Sequence, residues 1–169
     1  MTPIEQDPHR LEMTVLMTPD MANFSGNIHG GALLDRVAFS CASRYSKEYA
    51  VTLSVDQVLF KEPIHVGELV TFRASINDTG RTSMEVGIRV QAENIRSGQR
   101  CHTNSCYFTM VAVDDAGRPV RAPELVPTTP INIRRHKAAQ LHRTPRREFA
   151  ERLESVAATE HDVDRWGDD

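Results

Sequence analysis

Cysteine is scarce: Cys41, Cys101 and Cys106 are the only three in 169 residues. An odd count, widely spaced among apolar or strand-like neighbours, excludes a disulfide scaffold and predicts reduced, mostly buried thiols. Cys101, His102 and Cys106 match no zinc spacing and have no fourth donor close in sequence, so no metal is expected. No run of 18 apolar residues occurs, so no membrane span is expected. Neither sign of charge dominates. Lys and Arg number 20 against 23 Asp and Glu, a formal net charge of -3, which removes the electrostatic footprint of nucleic acid. The first ten residues carry acids and prolines without the apolar core of a secretory signal, and the expected location is the cytoplasm.

What is present is a composition of 40% hydrophobic and 25% charged residues, that of a globular domain with some tail. A chain of this length buries roughly 70% of its unfolded surface, enough for a core without staples. Leu11 to Thr18 reads as a first strand. From Ala32 to Tyr45, Leu33, Leu34, Val37, Ala38, Cys41, Ala42 and Tyr45 recur at helical spacing. Period-two alternation follows in Leu69 to Asn77 and Ser83 to Glu93, predicting strands with one wet and one dry face. Val51 to Phe60 alternates and then slips phase at Asp56-Gln57, which predicts a bulge, and His102 to Val113 makes a further strand. One helix followed by consecutive strands with short turns cannot supply parallel crossovers. The expected fold is α+β, an antiparallel sheet curled around one helix, over residues 8–118.

Beyond it, residues 119–169 form a proline-punctuated link and a helical tail, with helices expected near Asn132 to His142 and Pro145 to Ala158. Thr144-Pro145 has the form of an N-cap followed by Pro at the first helical position. Residues 131–147 hold six basic side chains and no acid, and residues 148–169 hold eight acids. Blocks of this kind face solvent or pair between helices or subunits. No aromatic platform accompanies the basic block, so nucleic acid is not an expected partner.

The densest chemistry lies between Asn23 and Gly31. Gly30-Gly31 allows a ligand to approach bare backbone at a helix start, where N–H groups lack partners and the macrodipole is positive. That suits a carbonyl oxygen becoming an anion during acyl transfer. A tight turn alone accounts for the glycines equally well. Asp35, just inside the helix at the edge of its apolar face, is a candidate base or an acid complementing the helix dipole in the first turn. His29 is placed to orient the loop or to transfer protons.

The segments Met17-Thr18-Pro19-Asp20-Met21-Ala22-Asn23-Phe24-Ser25-Gly26-Asn27-Ile28-His29-Gly30-Gly31, Asp35 with Val37-Ala38, Val51-Thr52-Leu53-Ser54-Val55-Asp56, Gly80-Arg81-Thr82-Ser83-Met84-Glu85-Val86 and Thr103 to Met110 together resemble the acyl-CoA hydrolases of the hotdog superfamily. The likeness covers roughly residues 10–120. It implies a hotdog fold and a homodimer assembling to a hexamer, a trimer of dimers, with active sites at the subunit interface. It further implies catalysis by Asp35 together with Asn23 from the opposite subunit, and hydrolysis of fatty acyl-CoA to fatty acid and CoA. His29, Gly30 and Gly31 would form the oxyanion loop, and Arg81, Thr82 and Ser83 are the implied CoA contacts. No cofactor is implied, since CoA is part of the substrate. Such relatives have about three more residues between the paired glycines and the helix acid, which in a helix amounts to about 4.5 Å and about 60°. An alternative alignment puts Ala38 at the acid's position, while the register of Arg36 to Tyr45 favours Asp35. A non-catalytic acyl-CoA binding or sensing protein, or a hotdog hydratase or dehydratase, are the alternatives of the same fold.

Overall fold

The computed structural model describes residues 7–28, 30–56, 58 and 61–159. They form two compact units, one running to Val126 and one starting at Pro127. In the first unit, β1 (Arg10–Leu16) leads through a short 3-10 turn (Pro19–Met21) and a loop to α1 (Gly30–Ser46). Four strands follow: β2 (Tyr49–Val55), β3 (Glu68–Thr79), β4 (Ser83–Asn94) and β5 (Arg100–Val113). The sheet is antiparallel throughout, in the order β1-β3-β4-β5-β2. It is the expected architecture, a sheet curled around one helix.

The core follows from the two periodicities. Leu34, Val37, Ala38, Cys41, Ala42 and Tyr45 repeat every three or four residues and are all buried. They meet the alternate residues Phe72, Ala74, Val86, Ile88, Val90, Cys106, Phe108 and Met110 in one cluster. Small side chains at Ala38, Cys41 and Ala42 let the sheet come close to the helix axis at interior packing density.

Four details differ from the sequence expectation. The helix starts at Gly30 rather than Ala32. The register shift of β2 falls between Thr52 and Ser54, not at Asp56-Gln57, and Gln57, Leu59 and Phe60 lie outside the described residues. Thr52 pairs with Met110 and Val55 with Phe108, so the extra residue Leu53 puts Val55 on the same side of the sheet as Phe108, where it stays 48% exposed. Alternation hid this because Leu53 and Val55 are both apolar. The expected wet face of the middle strands is partly dry, with Ser75, Asn77 and Glu85 buried. There the Ser75 hydroxyl donates to Asn77 Oδ1 at 2.8 Å, and the Asn77 amide lies where a side chain at position 87 would stand. Finally, the tail carries one helix, α2 (Pro130–Thr159), with Pro145 inside it. The capping signature belongs to Thr129-Pro130, where Thr129 Oγ1 accepts from the Asn132 N–H at 3.2 Å. The same dipeptide at Thr144-Pro145 is absorbed within the helix.

Residues 119–126 return along the first unit. Val120 N–H donates to the Ala112 carbonyl and Ala122 N–H to the Arg81 carbonyl, both at 2.9 Å, and Ala122 and Leu125 are buried. Among the described residues, no helix is long and apolar enough to cross a membrane.

Candidate active site

The loop before α1 is braced by one asparagine. Asn23 Oδ1 accepts from the N–H groups of Ser25 at 2.9 Å and Asn27 at 3.1 Å, and the Asn23 backbone N–H donates to the Asn27 carbonyl at 2.7 Å. Gly26, at φ +78°, supplies the left-handed residue that closes this turn. With the oxygen committed to the loop, the Asn23 Nδ2 donor makes no hydrogen bond among the described residues. Ile28, buried, donates its N–H to the Ile64 carbonyl at 2.9 Å and fixes the loop against the segment entering β3.

Because α1 begins at Gly30, Asp35 stands in the second helical turn and the first turn holds no acid. The dipole field has largely decayed there, which weakens the purely helical reason for a carboxylate at this position. Asp35 is more exposed than its place at the edge of the apolar face predicted, because the neighbouring surface is hollow rather than packed. Its Oδ1 accepts from the Thr52 hydroxyl at 2.7 Å. Thr52 Oγ1 also lies 3.4 Å from the Met110 sulfur. Thr52 carried no role in the sequence reading; a threonine in a strand is common, and its partnership with a carboxylate on another element has no sequence periodicity.

Asn23, Gly30, Gly31 and Asp35 all border one cavity of about 660 Å³, with Leu34, Val55, Val58, Lys61, Glu62 and Phe108 among its other walls. Gly31 is informative there. Its φ is not left-handed, and a Cβ built on it would meet nothing within 4 Å, so neither backbone strain nor packing in this chain requires glycine. His29 lies outside the described residues. Arg81, Thr82 and Ser83 do not border the cavity. Arg81 and Thr82 lie in the β3–β4 turn and Ser83 opens β4; Gly80 N–H donates to the Ser83 carbonyl at 2.7 Å and Ala112 N–H to the Thr82 carbonyl at 2.9 Å. The thiols are free, as expected, with Cys41 and Cys106 buried and Cys101 half-buried. Burial pushes the Cys41 and Cys106 thiols from 9.0 up to about 12, so they stay protonated and weakly nucleophilic at neutral pH.

Residues 25–99 match the family model of the thioesterase superfamily. Protein VdlD of Helicobacter pylori is 52% identical over 136 residues, covering 79% of this chain and 78% of that protein. A crystal structure of a hexameric acyl-CoA thioesterase superposes with a TM-score of 0.78 at 35% identity, covering 83% of this chain and 92% of that one. The acyl-CoA hydrolase of Staphylococcus aureus, solved with butyryl-CoA and CoA, gives a TM-score of 0.75 at 27% identity over 90% of this chain and 93% of that one. Structures of that hydrolase also exist with an aspartate, an asparagine and a threonine each replaced by alanine. The aspartate and threonine are 17 positions apart there, as Asp35 and Thr52 are here. The asparagine precedes the aspartate by fifteen positions there and Asn23 precedes Asp35 by twelve here. With its hotdog sheet and helix, its matched family model and these relatives, the chain belongs to the acyl-CoA hydrolases of the thioesterase superfamily.

Proposed function

We propose that this protein hydrolyses fatty acyl-CoA to free fatty acid and CoA, with Asp35 as the group that activates water. The observation that carries the reading is the Asp35–Thr52 hydrogen bond beside a cavity whose other wall is a helix start made of two glycines. Thr52 holds one carboxylate oxygen and leaves the other to take a proton. A thioester is already activated and its thiolate leaves readily, so the demanding step is attack by water. Asp35 removes a proton from that water as its oxygen bonds to the carbonyl carbon, or attacks the carbon itself to give a mixed anhydride that water then opens. The carbonyl oxygen, negative in the tetrahedral intermediate, is met by N–H groups at Gly30 and Gly31. Collapse breaks the C–S bond, and the CoA thiolate takes up the proton.

Asn23 of the facing subunit positions the water or the thioester through its uncommitted Nδ2. Matched spacing of the aspartate and threonine in the S. aureus hydrolase supports Asp35 rather than Ala38 as the acid, and leaves the three-residue shortening between Asn23 and Asp35. Arg81, Thr82 and Ser83 are CoA contacts only if the nucleotide runs beyond the cavity of one chain, as it would across a subunit interface. A dimer assembling to a hexamer in the cytoplasm belongs to the same proposal; hexameric relatives support the assembly.

Thiol release from a series of saturated acyl-CoAs tests the reading. Release of CoA with turnover supports it; tight acyl-CoA binding without release would make the protein a binder, and water addition to an enoyl-CoA would make it a hydratase.

A further inference from the structure

Phe24 is fully exposed, at 112% of its reference surface, on a loop whose backbone is otherwise tied down. Gly26 N–H donates to the Asn23 carbonyl at 2.9 Å, Ala22 bridges to Ile28, and the Asn23 side chain holds the Ser25 and Asn27 N–H groups. The turn presents the ring outward, so what covers it comes from another molecule. Covering an aromatic side chain removes roughly 150–250 Å² of largely apolar surface from water, a strong drive to association. A hollow of matching character lies between α1 and β1. It is a groove of about 420 Å³ with Met13, Met21, Leu33, Arg36 and Phe39 among its walls, and Asp35 borders it too. Phe39 keeps 39% of its surface exposed there.

We infer that Phe24 anchors a second copy of this chain, its ring seated in the groove between α1 and β1 of that copy. The walls of the groove suit an aromatic occupant. Thioethers pack favourably against a ring, a guanidinium is attracted to its face, and Phe39 offers an edge or an offset face. Among the described residues, no methionine or arginine lines the larger cavity on the other flank of Asp35. Anchor and receptor also share one patch. Met21 lines the groove and Phe24 follows three residues later, a reach of no more than about 11 Å. A two-fold axis through such a patch seats the Phe24 of each copy in the groove of the other, as an isologous contact requires. The assignment rests on the thioesterase reading in leaving the larger cavity to substrate, and it deepens that reading. Neighbouring Cα atoms are about 3.8 Å apart, so a Phe24 seated beside Asp35 of the other copy carries Asn23 to that carboxylate.

The test is self-association of the full-length protein, followed by sedimentation over a dilution series, which needs no substrate. Phe24→Ala should dissociate at a concentration at least about thirtyfold higher than the unmodified protein, the loss expected of an interface hot spot. Phe24→Leu, which keeps an apolar anchor, should lose less. Circular dichroism checks that the chain stays folded, as replacement of a fully exposed side chain predicts. On the receptor side, Phe39→Gln on α1 and Met13→Gln on β1 should each weaken association by about tenfold or more; two elements keep the test alive if one variant fails to fold. Mixing the variants identifies the groove. Phe24→Ala chains combined with Phe39→Gln chains form pairs in which one intact anchor meets one intact groove, and these should associate more tightly than the average of the two variants alone. Unchanged association of folded Phe24→Ala would overturn the inference. So would weakened association that mixing does not restore, which would seat the ring on another surface. Thiol release from acyl-CoA separates this inference from the reading beneath it. An associated protein that releases no thiol defeats the thioesterase reading and leaves the anchor standing on its association data, whereas an active protein whose Phe24→Ala variant associates normally keeps the thioesterase and ends the anchor.

Discussion

Asp35 and Thr52 show what a single side chain can and cannot reveal before folding. The carboxylate stands out in the sequence because it interrupts an apolar helix just past paired glycines. Its hydroxyl partner is 17 residues away on β2 and looks like any strand threonine. A hydrogen bond to a charged group contributes about 1.5–3 kcal/mol. Thr52→Val should accordingly lower kcat by roughly tenfold to a hundredfold, while Thr52→Ser, which keeps the hydroxyl, should retain most of it. Steady-state kinetics on both variants check this; equal losses would make Thr52 a packing residue. The cysteines were legible through their apolar neighbours, and burial gives them a measurable signature. A thiol raised from 9.0 to about 12 in the folded state stays neutral while its unfolded counterpart ionises. That contribution to stability is therefore complete below about pH 9 and is lost as pH rises from there toward 12. Denaturant titrations at pH 7 and pH 10 should give lower stability at pH 10, and replacing Cys41 and Cys106 by Ala should flatten that decline.

At the scale of the element, helix α1 was legible in its periodicity and misread at its start by two residues. Apolar spacing marks where a helix packs, but Gly30 and Gly31 carry no side chain to register in that pattern. The difference matters because it moves Asp35 out of the first turn, where the dipole would have accounted for it. Gly31 makes the functional reading testable separately from stability. Ala is the better helix former by roughly 0.5–1 kcal/mol, and a Cβ at Gly31 meets nothing within 4 Å. Gly31→Ala should thus leave the melting temperature unchanged or raise it, while lowering kcat/KM by at least about tenfold if the thioester approaches that backbone. Unaltered kcat/KM would return the glycine to a turn-making role. Strand β2 failed in a different way. Its bulge lies at Leu53, flanked by Val51 and Val55, and no alternation can mark a phase change between residues of one polarity.

For the whole molecule, the sheet and its enclosed helix followed from one helical and several alternating segments with turns too short for crossovers. The polar outer face of β3 and β4 did not follow, since burial of Ser75 and Asn77 depends on residues brought over them by the fold. The proposed assembly has a candidate contact at the free edge. β2 ends the sheet on one side, and Tyr49, Val51 and Leu53 expose 63%, 50% and 68% of their surfaces along it. An apolar edge strand without charges or proline invites pairing with another chain. Sedimentation should find the protein oligomeric, and Val51→Lys with Leu53→Lys should shift it toward monomers; an unchanged size would place the subunit contact elsewhere.

The central claim, that the Asp35 carboxylate drives thioester hydrolysis, is tested most directly by the initial rate of CoA thiol release from hexanoyl-CoA by Asp35→Ala and by the unmodified protein, at matched oligomeric size. The account predicts a loss of about a thousandfold or more, in the range found when a catalytic base is removed. A variant that hydrolyses the substrate at close to the original rate would contradict it.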